Sequence, residues 1–318
     1  MTALLEVDDL HVRFDVRDAG GAKAVLRAVD GVSLAVARGS TLGLVGESGC
    51  GKTSLVRAIL GLQPVHAGHV TLDGADILRP GRKARRALSR RIQIVFQDPY
   101  SALNPGMTVH DIVAEPLRIH RRDDPARVAQ LLDQVGLASD AAARKPGEFS
   151  GGQRQRIGIA RALALSPELL VLDEPVSALD VSVQAQVINL LVGLQQQLGL
   201  SYLFIAHDLS VARHMSQDVA VMYLGRIVET GARDAVFAAP AHPYTQCLMA
   251  AAPRTRFAER GQARRITIGE TPDPLHRPSG CAFRTRCPRA RDRCAEAAPP
   301  LAAFAPGHLV ACWFPGPE

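Results

Sequence analysis

Eight residues, Gly46-Glu47-Ser48-Gly49-Cys50-Gly51-Lys52-Thr53, fit the spacing G-x-x-x-x-G-K-[ST]. Glycines at those positions let a backbone turn tightly and aim consecutive N–H groups at phosphate oxygens. A helix opening directly afterwards adds the attraction of its N-terminal dipole. Lys52 would then bring a point charge to the β- and γ-phosphates. The hydroxyl of Thr53, with Ser54 behind it, would offer an oxygen to Mg²⁺. The chain has four lysines against 33 arginines, so a lysine at this position is informative. The pattern requires a strand before it and a helix after it. The apolar run Thr41–Val45 and the helical stretch 54–62 meet that requirement. The motif points to binding of a nucleoside triphosphate, not to what the nucleotide drives.

Further groups with chemical potential follow apolar runs. Residues 169–172 lead into Asp173-Glu174-Pro175. Two successive ionised carboxylates repel each other and need a cation or a partner. Beside a phosphate loop, Asp173 belongs near Mg²⁺ and Glu174 would orient or deprotonate an attacking water. Alone, the same tripeptide reads as an acidic turn. His207 follows the run 202–206 and can hydrogen-bond a γ-phosphate, although a lone histidine is more often an ordinary surface or core residue. Gln97, after 91–96, could ligate Mg²⁺ or hold the water through its carbonyl oxygen. Finally, Phe149-Ser150-Gly151-Gly152-Gln153-Arg154 opens the helical stretch 153–164, a second helix N-terminus suited to an anion. A small NTPase needs one such terminus. The economical explanation is that the second serves a nucleotide held by another subunit.

The elements that must position these groups are legible as an alternation. The runs 41–45, 91–96, 169–172 and 202–206 are short, apolar and bounded by polar residues, as buried parallel strands are. Between the last two, Val183, Val187, Leu191, Leu194 and Leu198 recur at helical steps and form one apolar face. A β-α-β alternation of this kind predicts an α/β fold. Residues 118–137 also read as helical without a matching strand, so a helical subdomain is expected at about 98–165. After residue 231 Ala and Pro rise and periodicity fades. A boundary is expected near 235, giving domains 1–235 and 236–318.

Composition narrows the function classes. Of 318 residues, 47% are apolar and 21% charged, which supports a sizeable core and excludes wholesale disorder. A net charge of +6 is too mild to imply nucleic acid. The basic run 79–91 lacks the interleaved aromatics of a nucleic-acid patch and reads as a solvated face, with anionic lipid as a minor alternative. No stretch has the roughly 18–20 apolar residues of a membrane helix. The first residues lack a basic, then apolar, leader. A cytosolic chain reaching a membrane through partners is the expectation.

The order of the motifs resembles the ABC ATPases: Walker A at 46–53, Q-loop at Gln97, signature at 149–153, Walker B at 169–174, D-loop at Ser177-Ala178-Leu179-Asp180 and switch His207. The resemblance covers about residues 4–230. It implies a RecA-like P-loop core with an antiparallel β-subdomain and a helical subdomain, and two subunits sandwiching two ATP molecules. Each ATP would lie between one Walker A and the opposite signature. Phe14 fits the aromatic that stacks on adenine. Phe149 stands where Leu is usual, and Thr53-Ser54 reverses the common order. Neither change removes a needed hydroxyl or backbone donor. Cys50 sits inside the loop, as a thiol-sensitive point or, more simply, a small filler.

Gln97-Asp98-Pro99-Tyr100-Ser101-Ala102-Leu103-Asn104-Pro105, Met107-Thr108-Val109, Ala114-Glu115-Pro116-Leu117 and His242-Pro243-Tyr244-Thr245 resemble the dipeptide/oligopeptide permease ATPases, nearest in wording to the F-type subunit. That resemblance implies ATP hydrolysis with Mg²⁺, coupled to peptide import at the cytoplasmic face of the membrane. It also implies partners: a non-identical D-type ATPase, two transmembrane permease subunits and, through them, an extracytoplasmic substrate-binding protein. Near-identical ATPases serve nickel, antimicrobial peptides or glycosides, because other subunits choose the cargo. A soluble ABC ATPase acting on DNA or the ribosome is the more distant alternative. That class usually has two cassettes in one chain, long coiled-coil insertions or zinc insertions, and this sequence has none of these.

Cys281, Cys287, Cys294 and Cys312 give C-x5-C-x6-C-x17-C. The spacing alone leaves an iron–sulfur cluster, zinc and unligated thiols all open, although the short C-x2-C knuckle of zinc sites is absent. The permease resemblance favours a [4Fe–4S] cluster on these four residues. Arg284, Arg286, Arg289, Arg291 and Arg293 lie among them and read either as stabilisers of thiolate charge or, more simply, as solvated side chains. Cys247 reads as an apolar filler.

Overall fold

A computed structural model of the chain describes residues 3–18, 20–251 and 269–316. Strands β1 (Ala3–Arg17), β2 (Lys23–Ala37) and β3 (Thr41–Val45) precede helix α1 (Lys52–Ile59). Then come β4 (Ala67–Leu72), β5 (Ala75–Asp76), α2 (Arg82–Arg91) and β6 (Ile92–Val95). Helices α3 (Pro99–Ala102), α4 (Val109–Ile119), α5 (Pro125–Gln134) and α6 (Gly151–Leu163) follow without an intervening strand. Next are β7 (Leu169–Asp173), α7 (Val181–Leu198), β8 (Ser201–Ala206), α8 (Leu209–Met215), β9 (Asp218–Tyr223) and β10 (Arg226–Ala232). Helices α9 (Arg233–Ala238), α10 (Pro243–Ala251) and α11 (Arg293–Glu296) and strands β11 (Ala302–Ala305) and β12 (His308–Val310) complete the described chain. None of these helices is long and apolar enough to cross a membrane.

The chain divides into two compact units. One gathers Val36–Thr41 and Arg79–Ile205 with the first residues of β1. In it β6 pairs with β7, and β7 with β8, all parallel; Ile92 faces Leu169 and Asp173 faces Ile205. Every residue of β7 and β8 is buried, as parallel strands covered on both faces must be. Helix α7 buries Val187, Ile188, Leu191 and Leu194. Each such side chain contributes about 1.5–3 kcal/mol. The helix stops at Gly199, which takes the left-handed conformation that ends many helices. Helices α3 to α6 occupy the stretch expected to be helical, with one difference. Residues 118–137 are not one helix: α4 ends at Ile119, and α5 restarts at Pro125 with the Asp124 carboxylate accepting from the Ala126 N–H. Proline at the first helical position lacks an N–H and cannot continue the preceding turn, so the periodic apolar residues span a break. From Arg82 on, the basic run 79–91 forms α2, none of whose residues is buried. Its last member, Arg91, pairs with Glu168, which also accepts from Arg38 at 2.9 Å.

The other unit gathers Leu5–Ala35, Leu42–Leu78 and the described residues from Ala206 on. It holds an antiparallel sheet in the order β2-β1-β4-β5. It also holds β3 paired parallel with β9, then β9-β10-β12-β11 paired antiparallel. The last two strands come from the C-terminal extension, the part of the chain from about residue 236 on, and sequence periodicity did not reveal them. They are short, and β11 is fully exposed, so alternation carries no signal. Their register places Val310 opposite Glu229 on β10. Glu229 is completely buried. Its carboxylate accepts from the backbone N–H groups of Ala241 (2.8 Å) and His242 (2.9 Å) and lies 2.7 Å from His308 Nε2. A buried carboxylate is tolerable only when its lone pairs are so occupied. This acid fastens α10 and β12 to β10. Asp30 makes a second tie: it accepts from Arg226 at 2.9 Å and from Arg277 of the extension at 3.1 Å. Burial pulls its pKa up, and the two arginines pull it down further, to a net lowering.

Candidate functional site

In the second unit the glycine-rich loop leaves fully buried β3 and enters α1, as the motif requires. Gly51 sits at φ 111°, and a Cβ there would stand 2.2 Å from the Ala28 carbonyl oxygen. Only glycine permits both the conformation and the approach. Lys52 is 4% exposed, and its ammonium donates to the carbonyls of Gly46 (2.7 Å) and Glu47 (2.9 Å). The loop thus aims the lysine with its own backbone. Ser48, Gly49 and Thr53 are exposed, and Ser54 is half-buried. Cys50 is buried, and burial raises its thiol pKa despite Lys52 nearby. That suits a filler and not a reactive thiolate. Phe14 lies half-buried on β1, and His207 is exposed directly after β8.

Glu47 is held on several sides. Its N–H donates to the Tyr244 hydroxyl at 2.9 Å. Its carboxylate takes two parallel bonds from Arg286, both 2.9 Å, and a third from the Thr271 hydroxyl at 3.0 Å. Burial raises the Glu47 pKa, but Arg286 outweighs it and the net direction is down. Tyr244, Thr271 and Arg286 went unnoticed as neighbours of the loop in the sequence. Tyr244 carried a family resemblance only, and Arg286 read as solvated among the cysteines. It is in fact 7% exposed. No local pattern links positions 47 and 286.

In the first unit Gln97 and Glu174 follow the neighbouring strands β6 and β7, and the Gln97 amide donates to Glu174 Oε2 at 2.8 Å. Glu174 has φ 47°, a conformation unusual for a residue with a side chain, and its N–H is held by the Ile205 carbonyl at 3.1 Å. Asp173, the last residue of β7, is 8% exposed. Each unit carries oxygen donors of the hard kind that Mg²⁺ takes: the Asp173 carboxylate and the Gln97 amide here, and the Thr53 hydroxyl in the other.

Ser150 caps α6. Its hydroxyl accepts from the Gln153 N–H (3.3 Å), and the Gln153 side chain accepts from the Ser150 N–H (3.0 Å). A Cβ on Gly152 would stand 2.3 Å from Val183 Cγ1, so glycine is needed for the approach to the start of α7. Phe149, 5% exposed, lies under the Arg144 guanidinium at 4.3 Å. Its side chain is structural, which explains why it can replace leucine. Asp180 is exposed and stands at the N-cap of α7.

The cysteine expectation is overturned. Among the described residues no group of three or more His, Cys, Asp or Glu side chains is placed to hold a metal ion, so neither a [4Fe–4S] cluster nor zinc has a ligand set. Cys281, Cys287, Cys294 and Cys312 are free cysteines bordering one small cavity. Burial pushes the Cys281 thiol up to about 11 and raises Cys287 and Cys312 as well. The intervening arginines have structural partners instead: Arg284 donates to the Ser279 carbonyl, Arg289 to the Gly316 carbonyl, and Arg291 and Arg293 stack on Phe314 (4.3 Å) and Trp313 (3.9 Å). Cys247 is buried.

The family described as "ABC transporter" matches residues 29–177, and "Oligopeptide/dipeptide transporter, C-terminal region" matches 228–294. The chain is 50% identical over 308 residues to the oligopeptide transport ATP-binding protein OppF of Escherichia coli (strain K12), covering 94% of this chain and 92% of that one. It is 48% identical over 319 residues to the oligopeptide transport ATP-binding protein AppF of Bacillus subtilis (strain 168), covering 97% and 96%. Among solved structures it is similar to cbiO1 of Clostridium perfringens, part of the ABC transporter complex cbiONQ. The TM-score is 0.64 at 27% identity, over 75% of this chain and 92% of that one. With motif order, RecA-like fold and both halves of the sequence in agreement, the chain belongs to the ATP-hydrolysing ABC transporter subunits of the oligopeptide/dipeptide permease family.

Proposed function

We propose that this chain is the F-type ATPase of a peptide importer, in which ATP binding closes a pair of ATPase subunits and hydrolysis reopens them. The observation that carries the reading is the hydrogen bond from Gln97 to Glu174, made where the structure also bends Glu174 to φ 47°. An amide that touches both the acid and, through its carbonyl, a cation can report the state of the nucleotide to the surface around it. Phe96, directly before Gln97, is an exposed apolar side chain, and Tyr100, three residues after it, is exposed with its ring against the Arg154 guanidinium; both suit a surface that receives helices of two membrane subunits.

The roles follow from chemistry. Lys52 neutralises the β- and γ-phosphates, with loop N–H groups of Gly46 to Ser54 around them, apart from that of Glu47, which Tyr244 holds. Thr53, Asp173 and Gln97 would hold Mg²⁺, which would supply charge neutralisation. Glu174 accepts the proton of the attacking water, and His207 orients the γ-phosphate. Phe14 stacks on adenine. Ser150, Gly151, Gly152 and Gln153 complete the site of a non-identical D-type partner, with Asp180 at the dimer seam. Residues 1–235 form the nucleotide-binding domain, with the helical subdomain at about 98–165, and 236–318 form the extension. Two permease subunits and an extracytoplasmic binding protein complete the machine, placing this chain at the cytoplasmic membrane face. Nucleic acid has no part in it. The test is Glu174→Gln. ATP binding should persist while hydrolysis, and uptake of a labelled peptide by the assembled transporter, fall at least a hundredfold. Hydrolysis near the wild-type rate would refute the role of Glu174.

A further inference from the structure

We infer that Arg286 of the C-terminal extension is a positioning residue for nucleotide binding: it occupies the Glu47 carboxylate and so keeps that acid from competing with phosphate for Lys52. The inference rests on the nucleotide-site reading above and deepens it.

Three observations carry it. First, Glu47 is the only acid within the loop, five residues from the lysine that the loop aims. Lys52 already donates to the Glu47 carbonyl at 2.9 Å, so the backbone of one residue and the ammonium of the other move together. Second, Arg286 meets the carboxylate with both terminal nitrogens at 2.9 Å, the parallel geometry in which guanidinium outcompetes ammonium. Third, Arg286 cannot easily leave. It is 7% exposed and lies 5.8–5.9 Å from the rings of Phe283 and Tyr223. Tyr223 ends β9, the parallel neighbour of β3, which leads into the loop. Tyr244 holds the Glu47 N–H from the same extension. An acid beside a phosphate site weakens anion binding unless a cation claims it. Here the claimant comes from 239 residues along the chain. The extension is thereby part of the nucleotide site without touching the nucleotide.

The test is equilibrium titration of the full chain with a fluorescent ATP analogue, with the unfolding midpoint of each variant measured without nucleotide. Arg286→Met should raise Kd by about tenfold, the size of one competing charge interaction near a protein surface. Adding Glu47→Gln to that variant should restore Kd to within about threefold of wild type, because no acid remains to compete. Should Arg286→Met fail to fold, Arg286→Lys, which keeps the charge and loses the two-pronged geometry, should show a smaller rise that Glu47→Gln again removes. A structural role alone would lower the midpoint and leave the double variant no better than the single. That result, or an unchanged Kd in Arg286→Met, would overturn the inference. Absence of ATP binding by the wild-type chain would overturn the nucleotide reading itself.

Discussion

Replacing Glu229 tests how the extension is fastened. The carboxylate receives three donors in a fully buried setting: two backbone N–H groups and His308 Nε2. Glu229→Ala leaves all three without an acceptor and water cannot reach them. At about 1–3 kcal/mol per unsatisfied group, and less than the sum because the site can relax, the loss should be about 4 kcal/mol. Glu229→Gln is graded. Its amide oxygen can still serve Ala241 and His308, which both address Oε1, but its NH₂ then faces the His242 N–H. One lost bond predicts about 1–2 kcal/mol. The chain has a single tryptophan, Trp313, whose indole donates to the Ala297 carbonyl at 3.0 Å within the extension. Its emission during urea unfolding therefore reports the extension, while far-ultraviolet circular dichroism reports the whole chain. The alanine variant should lose the tryptophan transition at lower urea, ahead of the bulk signal. If Glu229→Ala is within 0.5 kcal/mol of wild type, or the glutamine variant is the less stable, the three-donor account of this acid is wrong.

Two further outcomes are expected. Gly152→Ala should strongly impair ATP hydrolysis by the assembled transporter, because its Cβ would stand 2.3 Å from the stiff Val183 side chain; adding Val183→Ala should recover much of the rate, and no recovery would mean that space is not the reason for the glycine. Glu168 has its pKa lowered to about 2, first by its hydrogen bonds with Arg91 against the cost of burial, then by Arg38. A depressed carboxylate contributes stability above its unfolded value near 4.5, and that contribution disappears as pH falls through about 2. After solvent screening it is worth about 1 kcal/mol. Glu168→Gln should therefore cost about that much at pH 7 and close the gap to wild type between pH 4.5 and 2, as urea midpoints across that range would show.

Much of this molecule was legible in its residues because its chemistry is local. The loop 46–53 needs consecutive N–H groups, one lysine and one hydroxyl within a single turn, so the pattern is contiguous. The Ser-Gly-Gly opening of the helix at 150–152, the apolar runs that became β3, β6, β7 and β8, and the apolar face of α7 are likewise short-range patterns. The break before α5 was also written locally, in Asp124-Pro125, but was masked by apolar residues that keep helical spacing across it. The motif order and the resemblance of both halves to the permease ATPases supplied the family.

Only the tertiary structure decided the rest. A charged side chain does not announce whether it will be buried, because burial depends on what packs over it from far along the chain. Arg286 and its neighbours have the same local composition. Yet Arg286 alone among them reaches Glu47, whereas Arg291 and Arg293 cover aromatic rings. Glu229 and His308 are 79 residues apart and become one buried pair only because β12 adds to β10. The four cysteines show the converse. Their spacing and resemblance suggested a metal, but ligation depends on how side chains are placed in space, which packing sets and spacing does not, and among the described residues no group is placed to hold a metal ion. Local sequence determined the motifs that lie within one turn of chain; long-range packing determined which charges meet.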